Sequence, residues 1–326
     1  MRILVTGGSG FIGSHVVDSL RAHGHEPRIF DLVESPHHPP NDVDTVLGDL
    51  LDLSSVRRAL RGCDAVVHLA AEADVDRVLR DPERAERVNV RGTHVLLEGA
   101  RAESVGRVLY ASTIWVYGST NGKPVDEEAA VPLPGHFYTA TKVAGEMYCH
   151  AYDRLYGLEH TILRFGIPYG PRCRPSAVVP AFVRRALAGV PLEIRGDGSQ
   201  SRRFVYVEDL ADGVVAALAP AAAGRMYNLV GHESTSVATI ARLVRELVGD
   251  VPIVHLPARH GDVHDTPISG RRAAVELDWV PTTPFADGLR RYVSSLTQTN
   301  EAPSALTAST MEGSAATVRR QEPSEL

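Results

Sequence analysis

The sequence predicts an α/β protein in which a doubly wound parallel sheet is followed by a smaller, less regular C-terminal part that binds the substrate. Three observations carry this. Short apolar runs alternate with amphipathic helical stretches through the first half, and a glycine-rich string joins the first run to the first helix. After about Pro168, Pro and Gly punctuate shorter elements. Continuous apolar strands separated by helices suit a parallel sheet covered on both faces.

Taken in order, Ile3–Thr6 reads as the first strand, followed by a helical run containing Val16, Val17 and Leu20. Pro27–Asp31, Thr45–Gly48, Ala65–Leu69 and Arg107–Ala111 are further strands, each bounded by turn or helix signals. Glu159–Phe165 follows a helix that carries Tyr138 and Lys142. Later come Leu192–Arg195, the turn Gly196-Asp197-Gly198 and Val251–Leu256. The expected division is a dinucleotide-binding domain over 1–167, to which a segment near 200–230 returns, and a substrate domain over 168–296. From about Thr297 to 326 the chain is Ser, Thr, Ala and Glu with few large apolar side chains. Such a composition cannot bury enough surface to offset its ordering entropy, so this tail is expected to be disordered.

Composition excludes several classes. With 44% hydrophobic and 23% charged residues the balance is that of an ordinary soluble globular chain. No run of about 18 apolar residues is present to span a membrane, and the N-terminus enters a strand directly instead of a signal peptide. A cytoplasmic location is expected. Cys63, Cys149 and Cys173 have neither metal-ligand spacing nor a disulfide framework, and no histidine pairs with Cys or carboxylate at metal spacing. Net charge is −6 with no basic stripe, which argues against nucleic acid. Only Lys123 and Lys142 are lysines, so either one invites a functional question.

Gly7-Gly8-Ser9-Gly10-Phe11-Ile12-Gly13 links the first strand to the first helix, and Asp31 ends the second strand 18 residues beyond Gly13. Glycines at 7, 10 and 13 permit a tight turn and let the backbone approach a pyrophosphate, which the helix N-terminus attracts through its free N–H groups. Asp31 would accept from the adenosine ribose and repel a 2′-phosphate, so NAD is expected over NADP. Asp49 and Leu50 follow the third strand toward the adenine edge, and Leu69, Ala70 and Ala71 offer small residues beside the cofactor. These features make the sheet Rossmann-type.

Thr6-Gly7-Gly8-Ser9-Gly10-Phe11-Ile12-Gly13, His68-Leu69-Ala70-Ala71, Tyr138-x-x-x-Lys142 and Arg203-Phe204-Val205-Tyr206-Val207-Glu208-Asp209 together resemble the extended short-chain dehydrogenases/reductases, the NAD-dependent epimerase/dehydratase group, over roughly residues 1–295. Tyr138 and Lys142, four apart on one helix face, form the expected catalytic pair. A tyrosine with a pKa near 10 is a poor base, and a nearby ammonium and the positive nicotinamide ring would favour its phenolate. Lys142 would also hold the nicotinamide ribose. The resemblance implies a hydroxyl relay at Thr113, with Ser112 the neighbouring candidate. Where related 4,6-dehydratases carry Asp-Glu after the threonine, this chain has Ile114-Trp115, which disfavours elimination.

The expected activity is 4-epimerisation. Tyr138 and Thr113 deprotonate the sugar 4-hydroxyl, and a transient 4-keto sugar forms beside bound NADH. The sugar turns about its diphosphate, and hydride returns to the other face, so NAD stays tightly bound. Arg202 and Arg259 resemble the family's diphosphate-binding arginines, and the backbone of Leu192–Ile194 resembles its uracil-binding segment, a UDP-sugar being the expected partner. The run Pro171-Arg172-Cys173-Arg174-Pro175 is similar to that of UDP-glucuronate 4-epimerases, which places Arg174 near a uronate carboxylate. Ile167 departs from the Asn or Thr of resembling epimerases and removes a side-chain hydrogen bond. UDP-glucuronate to UDP-galacturonate is therefore the expected reaction, and UDP-glucose/UDP-galactose 4-epimerisation is the alternative. A reductase, a decarboxylase and a non-catalytic NAD sensor rank lower. The family also implies a homodimer through helices near 90–105 and 140–155.

Overall fold

A computed structural model describes residues 1–120, 122–258 and 267–298. Among these, seven strands build the main sheet: β1 (Arg2–Thr6), β2 (Glu26–Asp31), β3 (Asp44–Leu47), β4 (Ala65–His68), β5 (Arg107–Thr113), β6 (Glu159–Phe165) and β10 (Arg225–Leu229). All pair in parallel, in the order β10-β6-β5-β4-β1-β2-β3. The strand order reverses at β1, where β2 and β4 flank it, and such a switch point opens a crevice at the carboxyl edge.

Both faces of the sheet are covered, so strands such as β1 and β4 carry apolar residues on both faces instead of alternating. Ile3 and Val5 of β1 point to one face, where they pack with Val16, Val17 and Leu20 of α1 (Phe11–Ala22) and with Val214 of α8 (Val207–Ala216). Leu4, between them, points to the other face. There it packs with Leu60 of α2 (Leu53–Leu60), Leu96 of α5 (Gly92–Ala102) and Cys149 of α6 (Phe137–Tyr156). Short helices α3 (Val75–Arg80) and α4 (Pro82–Glu86) lead into a wide π turn at Arg87–Arg91 before α5.

A third core gathers residues beyond β6. β7 (Ile167–Tyr169), β9 (Ser201–Tyr206) and β11 (Ser234–Ser236) form one small sheet, and β8 (Leu192–Arg195) pairs with β12 (Ile253–Leu256). α7 (Val178–Leu187), α9 (Val237–Val248) and α11 (Phe285–Gln298) close over them, with α10 (Arg271–Glu276) lying against β10. Tyr169, Phe182, Phe204, Ile240 and Phe285 fill this core. Thr297 and Gln298, which composition assigns to the tail, instead finish α11, and the rest of that tail lies outside the described residues.

Among the described residues no helix is long and apolar enough to cross a membrane, and no group of three or more His, Cys, Asp or Glu side chains could hold a metal ion.

Candidate active site

A cavity of about 550 Å³ follows the carboxyl edge of the parallel sheet. Gly7, Gly10, Phe11, Ile12, Gly13, Asp31, Asp49, Leu50, Leu69, Ala70 and Ala71 line one part, and Ser112, Thr113, Trp115, Tyr138, Ile167, Cys173 and Arg174 line another. The residues singled out for a dinucleotide thus share one continuous space with those singled out for chemistry.

The glycine loop shows why it must be bare. Gly7 sits at φ +71°, and a Cβ at Gly13 would lie 2.1 Å from the Gly7 carbonyl oxygen. No side chain caps the N-terminus of α1 and no acidic residue occupies its first turn, so its N–H groups are open to an anion. Asp31 accepts from the Ser9 N–H at 3.1 Å and from the Leu32 N–H at 2.7 Å, which fixes its carboxylate at the cavity wall. This cradle fits a dinucleotide pyrophosphate with its ribose at Asp31.

Buried polar links hold the cofactor wall in shape. Thr93 donates to the Asn89 carbonyl at 2.6 Å, so it accepts from His68 Nε2–H at 3.0 Å. His68 Nδ1 then accepts from the Thr6 hydroxyl at 2.7 Å, and Thr6 Oγ1 accepts from the Ala70 N–H at 3.2 Å. Burial pushes the His68 pKa down to about 3, so the ring is neutral. Asn89, within the π turn, accepts from the Glu72 N–H and donates to the Glu72 carbonyl and to Thr141 Oγ1. Thr141 in turn donates to the Tyr138 carbonyl at 2.7 Å.

β5 extends through Thr113, so Ser112 and Thr113 close the strand instead of following it, as their burial among packed neighbours requires. Thr113 Oγ1 accepts from the Trp115 N–H at 3.2 Å and starts a 3₁₀ turn over Ile114–Tyr117. Ile114 is buried in an apolar cluster with Val116 and Val230. Trp115 meets the Tyr138 ring edge-on, 6.2 Å between centroids.

Tyr138 faces the cavity while Lys142, one turn on, is 4% exposed and sits behind the wall. Its Nζ lies 5.1 Å from the centre of the Tyr110 ring. Burial pushes the Tyr138 phenol up to about 12, with the positive charge of Arg174 pulling the other way. Burial also pushes the Lys142 ammonium down to about 8. Among the protein's own groups, desolvation is the largest influence on both ionisations. α6 can lie this close to β5 because Gly145 faces Tyr110, where a Cβ would come within 2.1 Å of the phenol oxygen.

Arg174 lines the cavity with its guanidinium 3.5 Å from Asp74 Oδ2. Leu192 and Ile194, whose backbone is expected to meet the base, do not line this cavity; their side chains enter the third core and their strand pairs with β12. Arg202, on β9, donates to the Ser201 carbonyl and is likewise away from the cavity wall. Arg259 lies outside the described residues. Gly166 is bare because a Cβ would meet the Arg203 carbonyl at 2.8 Å.

Sequence reasoning missed Glu146, Arg164, Asn89, Glu72 and Arg84. Glu146 falls eight residues after Tyr138 on the same stripe of α6 and is fully buried with Arg164, whose guanidinium grips it at 3.0 and 2.7 Å. The i, i+4, i+8 spacing from Tyr138 was the available signal. Glu72 and Arg84, 3.4 Å apart, stand together at the cavity wall, and no local pattern announces that pair.

Residues 3–230 match the model of the NAD dependent epimerase/dehydratase family. The chain is 36% identical to a UDP-glucose 4-epimerase of Mycolicibacterium smegmatis, over 90% of this chain and 97% of that one. A dTDP-glucose 4,6-dehydratase of Neisseria gonorrhoeae is 34% identical, over 89% and 94%. Among solved structures, a UDP-glucuronic acid 4-epimerase from Bacillus cereus in complex with UDP-glucuronic acid and NAD is similar with a TM-score of 0.84 and 29% identity, over 92% of this chain and all of that one.

Proposed function

The chain belongs to the NAD dependent epimerase/dehydratase family, and from that premise we propose that it inverts C4 of a UDP-hexose, interconverting UDP-glucose and UDP-galactose. NAD is its cofactor, held by the glycine loop and Asp31 and, in this proposal, retained from one turnover to the next. The observation that carries the reading is the cavity wall beyond Thr113. Tyr138 and Thr113 are the proton-handling groups there, while Ile114 is buried in apolar packing and Trp115 offers no acid or base. Elimination across C5–C6 needs such a group, and inversion at C4 does not.

Bound NAD supplies a reversible hydride acceptor. The protein's own part is to move one proton and to position one ring. Thr113 Oγ1 is already an acceptor for the Trp115 N–H, so its remaining hydrogen can bond the sugar 4-oxygen. Tyr138 takes the 4-hydroxyl proton and later returns it. Trp115, Ile167 and Cys173 give the sugar a largely apolar wall with few fixed hydrogen bonds, which suits a ring that must present both faces.

The choice between hexose and uronate turns on Arg174. A guanidinium in the cavity supports a uronate, the second reading. Yet Asp74 already faces it. Burial pushes the Asp74 carboxyl up, but the Arg77 N–H and the Arg174 charge outweigh this and hold it below its ordinary value. The pair is thus neutral overall, and a uronate would bring its charge toward Asp74. That balance favours a neutral hexose.

The division into a cofactor domain and a sugar-nucleotide domain, a cytoplasmic setting and a homodimer are part of the same proposal. Met147, Leu155 and Tyr156 are exposed apolar residues on α6 and support the dimer. Purified protein incubated with UDP-glucose, then with UDP-glucuronate, followed by chromatography of the nucleotides, tests the reading. UDP-galactose is expected. Conversion of the uronate alone would move the assignment to the second reading, and a 4-keto-6-deoxy product would make the protein a dehydratase.

A further inference from the structure

Two loops that meet the cavity from opposite ends are tied to a single carboxylate outside it. Asp18, on α1, accepts from His38 Nε2 at 2.7 Å on one oxygen and from Arg172 Nη1 at 2.7 Å on the other. His38 belongs to the loop that leaves β2 at Asp31, where Leu32 lines the cavity. Arg172 belongs to the loop after β7, whose next two residues, Cys173 and Arg174, line the cavity's other part.

Each loop is held firmly to this point. His38 is 2% exposed, and its backbone N–H donates to Ser35 Oγ at 3.1 Å. Ser9 of the glycine loop donates to the Val33 carbonyl at 2.8 Å, which binds the same loop to the phosphate cradle. On the other side, His15 of α1 donates through Nε2 to the Pro171 carbonyl at 3.1 Å. Arg172 itself has φ +65°, a left-handed backbone unfavourable for a side-chain-bearing residue. Such conformations persist where surrounding contacts over-determine them, and they gather at ligand-binding segments.

We propose that Asp18 is a positioning residue that couples the two loops, so that ordering the adenosine end of the cavity by NAD also sets the sugar loop, and the reverse. The proposal rests on the cofactor and sugar-nucleotide ends assigned above but not on the identity of the sugar. Coupling of this kind is reciprocal. Arg172, on the sugar loop, therefore contributes to NAD affinity, and His38, on the adenosine loop, contributes to UDP-glucose affinity.

Calorimetry on the full chain, with UDP-glucose titrated onto the NAD-loaded protein and NAD onto protein stripped of it, reads both terms. Arg172→Ala is expected to weaken NAD binding about fivefold, the lower end of common coupling factors, and His38→Ala to weaken UDP-glucose binding by a similar factor. Arg172→Lys keeps a cation for Asp18 and should recover most of the NAD affinity. Unchanged NAD affinity in Arg172→Ala, or a loss that Arg172→Lys does not recover, overturns the coupling. Failure of the unaltered protein to bind UDP-glucose would instead count against the hexose assignment, while the NAD measurements still decide the coupling.

Discussion

Ser112 Oγ donates to Glu146 Oε1 at 2.5 Å, and the same carboxylate oxygen receives Arg164 Nε at 3.0 Å. The serine's proton is therefore committed to a buried ion pair, whereas Thr113 next to it, among the described residues, accepts from a backbone N–H and keeps its own hydrogen unspent. The two hydroxyls that sequence could not separate are separated by their partners. Thr113→Ala should lower kcat about a hundredfold, the low end of what a positioned proton-transfer group contributes, with little change in Tm. Ser112→Ala should cost less activity but lower Tm, because a buried acceptor loses its donor. Kinetics and thermal unfolding on both variants check this, and the reverse pattern would exchange their roles.

Lys142 links activity to stability through one buried charge. Its ammonium falls to about 8 in the folded protein from an ordinary 10.5, so between those values the unfolded chain binds more protons. Stability from this group therefore rises with pH across that window, and below it the buried charge is a constant burden. Lys142→Met should raise Tm by a few degrees at pH 7, and that gain should shrink as pH approaches 10.5. The same variant should lose turnover, since the charge expected to assist Tyr138 is gone. In the unaltered enzyme turnover should fall above about pH 8 as the ammonium deprotonates. A Tm gain that persists unchanged at high pH would remove the linkage.

Asp31 is held by two backbone N–H groups at the wall of the cofactor cavity. Asp31→Gly removes the acceptor for the adenosine ribose and the repulsion toward a 2′-phosphate. NAD should bind about tenfold more weakly, equivalent to about 1.4 kcal/mol, while NADP weakens less or improves. Titration of both dinucleotides measures the ratio, and an unaltered ratio would mean that Asp31 does not set the preference.

The legible parts of the protein were local ones. The glycine loop, Asp31 and the Tyr138–Lys142 pair declare themselves through short spacings that a strand, turn or helix converts directly into geometry. The parallel sheet was legible for the same reason, since strands such as β1 and β4 carry apolar residues on both faces. What escaped depends on contacts between distant segments. Glu146 meets Ser112 and Arg164 only when α6 packs on β5 and β6. Burial is the largest influence on the Tyr138 phenol, with Arg174 opposing it, and no spacing encodes either. The alternation of β8 turns the Leu192 and Ile194 side chains into the third core, a packing partner that their own short segment does not name.

Asp74 and Arg174 yield the sharpest test of substrate choice. Asp74 caps α3, accepting from the Asp76 and Arg77 N–H groups at 3.1 Å each, and its other oxygen faces Arg174. Asparagine is as good a helix cap as aspartate, so Asp74→Asn removes the charge while keeping the local fold. Arg174 then lacks its counter-ion, and UDP-glucuronate should gain affinity relative to UDP-glucose by about tenfold, or about 1.4 kcal/mol. The pair is partly exposed, so added salt should reduce the gain. Arg174→Ala in the same background should abolish it. Competition binding of the two nucleotides at low and high salt supplies the measurement. If Asp74→Asn leaves their ratio where it was, Asp74 does not reserve Arg174, and the charge argument for a neutral hexose loses its footing.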